Sequence, residues 1–402
     1  MPDEIHGPGL VYDAEDEYRP EPIPAPPPAP WLDGSFRIGI HTSIAGDIAN
    51  SLEIAKKLGC NALQIFSSSP RMWPRPGRAL IPEADATRFR ARRAELALGP
   101  VAIHANYLIN LAASDPVARV RAIQAFRDEL LRGMSLGADF VIVHPGSARD
   151  GDLSRAAKDV GEALRQSARG LKLGGMRVLV ENTAGMGNSV GSKFEELATI
   201  LETSREIDAG VCLDTAHTFE AGYPIHTADG LEQTLERLEK TVELERVYVL
   251  HVNDSKTAFG SRVDRHEHIG KGEIGLEALG RILRHPLLSP SRVPGRAFLL
   301  ETPIDLPGDD RRNVAAVWKL VGVAAEQAPD AEDGFSMVRG KRKAKGKAKA
   351  KAKAKALTAK AQRTQRGHGE RRSGGTIRNI AKGRSRTKSK KSKSKSKKRK
   401  RG

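Results

Sequence analysis

The sequence predicts an α/β chain whose centre is a closed (β/α)8 barrel, the TIM arrangement, with a disordered leader at one end and a disordered basic tail at the other. Three observations point there. Eight short runs rich in β-branched residues recur from Phe36 onward, each followed by a longer segment of helical period, which is the pattern of repeated βα units around a parallel sheet. Eight such units in about 290 residues match the size of a closed barrel. The two ends of the chain differ sharply in composition from this middle.

The leader, residues 1–34, is acidic and then proline-rich (Pro20, Pro22, Pro24, Pro26, Pro27, Pro28 and Pro30). It holds too little apolar surface to form a core of its own. The barrel is expected over residues 35–328. Its strand candidates are FRIGIH (36–41), NALQIF (61–66), VAIHAN (101–106), DFVIVH (139–144), RVLVEN (177–182), AGVCLD (209–214), VYVLHV (247–252) and AFLLET (297–302). Helical candidates between and after them are 46–58, 116–136, 154–171, 192–203, 228–243, 275–284 and 309–325. A doubly wound open sheet usually carries a glycine-rich phosphate turn after its first strand. IHTSIAGD is a poor match to that turn, so the closed barrel is preferred.

The tail, residues 329–402, alternates Lys with Ala or Gly over 341–355 and Lys/Arg with Ser/Thr over 384–401. It owns the formal net charge of +18: residues 340–402 hold 28 Lys/Arg against Glu370 alone, whereas residues 1–30 hold seven acids against Arg19. The middle of the chain is therefore mildly acidic. Self-repulsion and the lack of apolar anchors predict disorder for the tail. The two cysteines, Cys60 and Cys212, lie beside or inside apolar runs, which favours reduced core thiols in a cytosolic protein over a disulfide scaffold. Neither a basic-then-apolar leader nor a run of 18 apolar residues is readable, so a soluble cytoplasmic protein with no membrane partner is expected.

In a barrel of this kind the active site is built at the C-terminal ends of the strands. The polar residues at or near those ends are His41, His104, His144, Glu181, Asp214, His251 and Glu301; just beyond lie His217 in DTAHTF and the pair Asp264 and His266 in SRVDRHEH. The second run offers only Ser67 and Ser68. Taken singly, a histidine there is ordinarily a hydrogen-bonded structural residue, and a carboxylate a helix cap. Together, leaving out His41, they make five imidazoles and four carboxylates in one mouth. Four carboxylates so crowded repel one another unless cations intervene. The mixture of imidazole and carboxylate suits zinc or a similar transition metal. Nine ligands exceed what one tetrahedral site can use and fit two or three ions with one carboxylate shared. Multinuclear sites of this kind point to phosphoester hydrolysis.

The stretches HANYLINLA (104–112), VHPGS (143–147), VENTAGMGNSVGSKFEEL (180–197), VCLDTAHTFEAGY (211–223), HVNDSKTAFGSRVDRHEHIGKGEIG (251–275) and LLETP (299–303) closely resemble bacterial endonuclease IV, in order, between residues 37 and 325. HVNDSK followed by GSRVDRHEHIG is highly specific, while HPGS or LET alone would be weak. The resemblance implies a TIM barrel with three zinc ions, for which manganese can substitute. By motif, His104, His144 and Glu181 would hold the first; Glu181 would bridge to a second held also by Asp214, His251 and Glu301; His217, Asp264 and His266 would hold the third. It further implies incision on the 5′ side of abasic sites in double-stranded DNA with Glu181 as a catalytic residue, leaving a 3′-hydroxyl and a 5′-deoxyribose phosphate, and trimming of blocked 3′ ends.

Arg71 in SSSPRMW and the pair Tyr107 and Leu108 in NYLINL match family residues that wedge into the DNA stack, a role with a clear mechanical purpose. The plainer readings are phosphate contact for Arg71 and loop packing for the pair. Two departures, Ala105 where the family commonly has Asp and Ala216 where it has Cys, are not ligands and affect only their surroundings. His41 is expected to support ligands rather than bind metal, and His226 and His268 to be surface or loop groups.

The resemblance leaves the tail unexplained. Its Lys-Ala and Lys-Ser repeats resemble the tails of linker histones and histone-like bacterial proteins. A flexible polycation binds the phosphate backbone by releasing counterions, without reading sequence. The expectation is a nucleoid-associated monomer tethered to DNA; the plainer reading is a solubilising or RNA-binding appendage. Two rival functions compete with the nuclease. A metal-dependent sugar isomerase or epimerase shares the barrel but usually needs fewer ligands, so the trio His217, Asp264 and His266 argues against it. A chromatin-type binding protein with an inactive barrel is opposed by the full set of nine ligand types.

Overall fold

The computed structural model describes residues 32, 34–70, 72–73 and 80–322. All belong to a unit spanning Met1–Ala331; a second unit, Glu332–Gly402, lies wholly outside the described residues. So do nearly all of the expected leader, the boundary expected at residue 328, the basic tail and Arg71.

Eight parallel strands close into a barrel. They are β1 (Arg37–Thr42), β2 (Leu63–Phe66), β3 (Val101–His104), β4 (Phe140–Val143), β5 (Arg177–Glu181), β6 (Gly210–Asp214), β7 (Val247–His251) and β10 (Ala297–Leu300). Two further short strands, β8 (Asp254–Ser255) and β9 (His266–Glu267), form an antiparallel pair of their own after β7. Around the barrel the order is β1-β10-β7-β6-β5-β4-β3-β2, closed by pairing of β1 with both β2 and β10. Each of the eight strand candidates forms a barrel strand, with ends displaced by at most two residues.

The expected helices are present as α1 (Asn50–Lys57), α3 (Pro116–Leu136), α4 (Leu153–Ala168), α5 (Phe194–Thr203), α7 (Ala228–Thr241), α8 (Leu276–Arg284) and α9 (Asp309–Leu320). Helix α3 shows why its limits were readable. Asp115 caps it by accepting from Ala118 N, Pro116 occupies the first turn, and Gly137 ends it in a left-handed conformation with φ 65°, the residue pattern that starts and stops helices. Two helices were not anticipated. α2 (Glu83–Glu95) buries only Ala86, Phe89 and Arg93, so no apolar stripe announces it. α6 (Thr215–Glu220) is too short for a period to show. No helix among the described residues is long and apolar enough to cross a membrane.

Side chains alternate between two apolar layers, one between strands and helices and one inside the barrel. The inner layer contains Ala62, Ala102, Ile142, Leu179, Cys212, Val249 and Leu299. Because a strand repeats its face every two residues, the residues two positions on look inward one layer higher, at the mouth. Those residues are Gln64, His104, His144, Glu181, Asp214, His251 and Glu301. Pleat geometry and barrel closure thus gather residues spread over more than half the chain.

Candidate metal centre

Glu181 lies at the middle of the mouth, fully buried at the end of β5. Four histidines surround its carboxylate. Oε2 faces His104 Nε2 at 3.2 Å and His144 Nε2 at 3.6 Å, while Oε1 faces His251 Nδ1 at 3.0 Å and His217 Nδ1 at 3.4 Å. Asp214, Glu301 and Asp264 complete the acidic set. Asp214 Oδ2 is 3.8 Å from His251 Nδ1 and 3.6 Å from His266 Nε2, and Glu301 Oε2 is 3.3 Å from His251 Nδ1. Asp264 approaches His217 Nε2 at 3.3 Å and His266 Nε2 at 3.7 Å. Among the described residues, every ion pair of these four carboxylates is with a histidine; no Lys or Arg neutralises them.

Local structure explains several placements. Asp214 ends β6 and caps α6, accepting from His217 N at 2.8 Å. That cap sets His217 one turn above Asp214, on the same side. Backbone carbonyls then fix which imidazole nitrogen is free. His104 Nδ1 donates to Ala105 O (2.8 Å), His217 Nδ1 to Asn182 O (3.0 Å) and His266 Nδ1 to Glu301 O (3.3 Å), so in the neutral ring Nε2 of each is the nitrogen that carries the lone pair. His251 is held the other way: its Nε2 donates to Gln64 Oε1 at 2.9 Å, leaving Nδ1 toward Glu181. Such outer hydrogen bonds orient metal-binding histidines.

In the field of the protein atoms alone Glu181, Glu301 and Asp264 are held charged. Burial would raise the Glu181 carboxyl, but His144 and His251 outweigh it and hold it well below the ordinary value. Burial is likewise overcome at Glu301 by His251 and His41, and at Asp264 by His217, which brings it to about 2. Conversely burial would lower His217 and His251, yet Asp214 and Asp264 raise the first, and Glu301 and Glu181 the second, well above the usual histidine value. The cluster therefore demands positive charge.

The residues present fit a metal. Four groups have ligand atoms within 4.8 Å of one another: His104, His144 and Glu181; Glu181, Asp214, His251 and Glu301; Asp214, His217 and His266; and Glu181, Cys212 and His251. The Nε2 atoms of His217 and His266 are buried with no hydrogen-bond partner, as ligand atoms without their ion would be. Two of these groups are sets the sequence suggested. The third differs, bringing Asp214 to His217 and His266 where the sequence suggested Asp264; Asp264 stands beside the same two histidines but is 44 % exposed. Cys212 belongs to the inner apolar layer, and burial pushes its thiol up to about 12.

Three supporting residues escaped sequence reasoning. Gln64, fully buried on β2, donates to Glu301 Oε1 at 2.6 Å, meets His41 Nδ1 at 3.0 Å and accepts from His251 Nε2. The signal was available: Gln64 is a polar residue two positions after the inward-facing Ala62, in the register of the ligands. Asn253 donates to Asp214 Oδ2 at 2.7 Å and accepts from Glu301 N at 2.9 Å. Asn106 donates to Ser69 O and Met72 O and accepts from Leu108 N, so it ties the β3 loop to the loop after β2. Tyr107 and Leu108 stand on this rim, 56 % and 36 % exposed, with the Tyr107 ring against Phe66 and His104. His41, 3.6 Å from Glu301, lies beside the ligands. His226 packs between Phe219 and Phe259, and His268 bonds Asn313.

Residues 52–316 match a family model described as a xylose isomerase-like TIM barrel. The chain is 45 % identical over 291 residues to a probable endonuclease 4 of Solibacter usitatus, covering 71 % of this chain and 97 % of the relative. The crystal structure of endonuclease IV from Thermus thermophilus is 38 % identical, with a TM-score of 0.61, over 71 % of this chain and 98 % of that one. A D-tagatose 3-epimerase-like protein, 17 % identical with a TM-score of 0.52 over 71 % of this chain and 98 % of its own, shares the fold alone. By sequence along nearly the whole length of its relatives, this chain belongs to the endonuclease IV family.

Proposed function

We propose that this chain is a DNA-repair endonuclease that hydrolyses the phosphodiester on the 5′ side of abasic sites in double-stranded DNA, leaving a 3′-hydroxyl and a 5′-deoxyribose phosphate, and that trims blocked 3′ ends at the same site. One observation carries the reading: five histidines and four carboxylates converge on one barrel mouth, and among the described residues no Lys or Arg balances them. Three zinc ions, replaceable by manganese, suit that donor set. His104, His144 and Glu181 would hold the first, Glu181, Asp214, His251 and Glu301 the second, and His217, Asp264 and His266 the third, with Asp214 close by. Divalent ions so held make water a stronger nucleophile near neutral pH and neutralise charge on the attacking and leaving oxygens of a phosphoester.

The chain's own residues supply the rest. Glu181 presents one oxygen to the His104 and His144 side and the other to the His251 side, the disposition a bridging carboxylate needs. A monomer is the proposed working unit. Tyr107, Leu108 and Arg71 act as the wedge. Their task is easiest where a base is already missing, since extruding a lesion costs least there. The basic tail tethers the barrel to the phosphate backbone and keeps the enzyme near the nucleoid.

The test uses metal-replete protein and a duplex carrying one abasic site. Incision on the 5′ side is expected, lost with chelator and restored by zinc, and Glu181→Gln should abolish it. No incision by the metal-replete protein, or an unaltered rate in Glu181→Gln, overturns the reading. Turnover of a ketose instead would favour the sugar epimerase.

A further inference from the structure

A pocket of about 370 Å³ lies beside the mouth, walled by the loop after β5, the end of α6, α7 and the loop before β9. Three cations, Lys193, Arg237 and Arg262, line it, and among the described residues no carboxylate does. In a domain that is acidic on balance, such a lining is unexpected for a merely solvated surface. Arg237 is engaged by Glu195 Oε1 at 2.8 Å. The Lys193 and Arg262 side chains and the Ser192 hydroxyl make no hydrogen bond or ion pair with the described residues.

The backbone adds a second, independent sign. Arg262 has a left-handed φ of 55°, a conformation that costs a side chain free energy and persists only where the surroundings enforce it. Its N–H donates to Glu220 O at 3.0 Å. Its stem passes Gly185, where an added Cβ would lie 3.8 Å from Arg262 Cδ. The walls are also continuous with the ligand loops: Ala184 follows Glu181 by three residues, Ala221 follows His217 by four, and Arg262 precedes Asp264 by two.

We propose that this pocket binds a backbone phosphate of the strand being cut, at a position other than the bond hydrolysed. The inference rests on the reading of the chain as a DNA hydrolase. Arg262 and Lys193 offer charge-assisted hydrogen bonds to phosphate oxygens and Ser192 offers a neutral one. A strand whose cleaved phosphate sits at the metal centre continues past these same loops, so its phosphodiester is the anion within reach. Free inorganic phosphate shares the chemistry and is the competing source.

The experiment compares full-length, metal-replete wild type with Lys193→Gln, Arg262→Gln, the double variant, and the control Lys172→Gln, an exposed lysine in the α4–β5 connection at the other end of the barrel. Binding to an abasic duplex is measured across salt concentrations, with kcat at saturating DNA. The double variant should bind roughly tenfold or more weakly, as loss of charged hydrogen bonds predicts. Its plot of log affinity against log salt should be shallower by about 0.9, the value for one phosphate contact. Its kcat and the control's binding should stay at wild-type values. A wild-type slope in the double variant overturns the subsite while incision by wild type leaves the functional reading intact. A fall in kcat with unchanged binding also overturns it. Relief of inhibition by inorganic phosphate, with DNA binding unchanged, would assign the pocket to free phosphate and overturn it too. Failure of the wild type to cut abasic DNA is a separate outcome, and removes the functional reading together with the subsite.

Discussion

Replacing Asp254 should unfasten the loop that carries His266. Asp254 is fully buried on β8, and its carboxylate accepts five backbone N–H groups. Oδ1 takes Ser255 N (2.9 Å), Ile274 N (3.0 Å) and Gly275 N (3.3 Å); Oδ2 takes Gly270 N and Gly272 N, both at 3.0 Å. The fit is close enough that a Cβ at Gly272 would lie 2.6 Å from Asp254 Oδ1 and 2.3 Å from Ser255 O. In Asp254→Ala, the Ser255 and Ile274 donors are buried and lose their acceptor, at ~1–3 kcal/mol each, so about 2–6 kcal/mol in all. The other three donors are half-buried and can turn to water. Against a typical stability of ~5–15 kcal/mol, that is a large fraction. Asp254→Asn keeps one acceptor oxygen but aims an amide N–H at the Gly270 and Gly272 donors, so it should fall between wild type and Ala. Urea denaturation of chelator-treated protein reads the stability. Metal content after dialysis reads the site, with loss expected from the His217–Asp264–His266 group first, since His266 rides on the freed loop. Wild-type midpoint and wild-type metal content in Asp254→Ala would refute the reasoning.

Two further outcomes are expected. Gln64→Leu, similar in volume, leaves the buried His251 Nε2–H without its acceptor and frees Glu301, so metal affinity or activity should drop ~10–100-fold, as for other residues that orient metal ligands; chelator competition and kcat/KM measure it, and wild-type values would remove Gln64 from the machinery. Deleting residues 340–402 should flatten the salt dependence of DNA binding. If the tail makes roughly six to ten phosphate contacts, wild-type affinity should fall ~10³–10⁵-fold between about 50 and 200 mM salt. An unchanged slope after deletion would refute the tether.

Much of the barrel was legible because its signals are local. Short β-branched runs announce strands, and the Asp115, Pro116 and Gly137 punctuation announces α3. Six of the histidines and carboxylates (His104, His144, Glu181, Asp214, His251 and Glu301) were legible for a related reason: they follow apolar strand residues at positions where an apolar residue would otherwise continue the run. Helix α2 was not legible, because its stability comes from partners far along the chain; Arg93 reaches Asp139 Oδ2 at 2.6 Å rather than presenting an apolar face. The α6 turn depends on one capping contact from Asp214, and the β8–β9 pair on the five donors to Asp254.

The sequence by itself determined the βα repeat, the residue types of the mouth and the separation of the tail's charge from the barrel. These properties reside in composition and short spacing. Only the tertiary structure decided which of Glu181's oxygens faces which histidine, which imidazole nitrogen is left free, and that Gln64 and Asn253 support the acids. It alone brought Lys193, Arg237 and Arg262 around one pocket. The physical reason is that hydrogen bonds and charge pairs depend on distance in space, and barrel closure sets those distances between residues that are far apart along the chain.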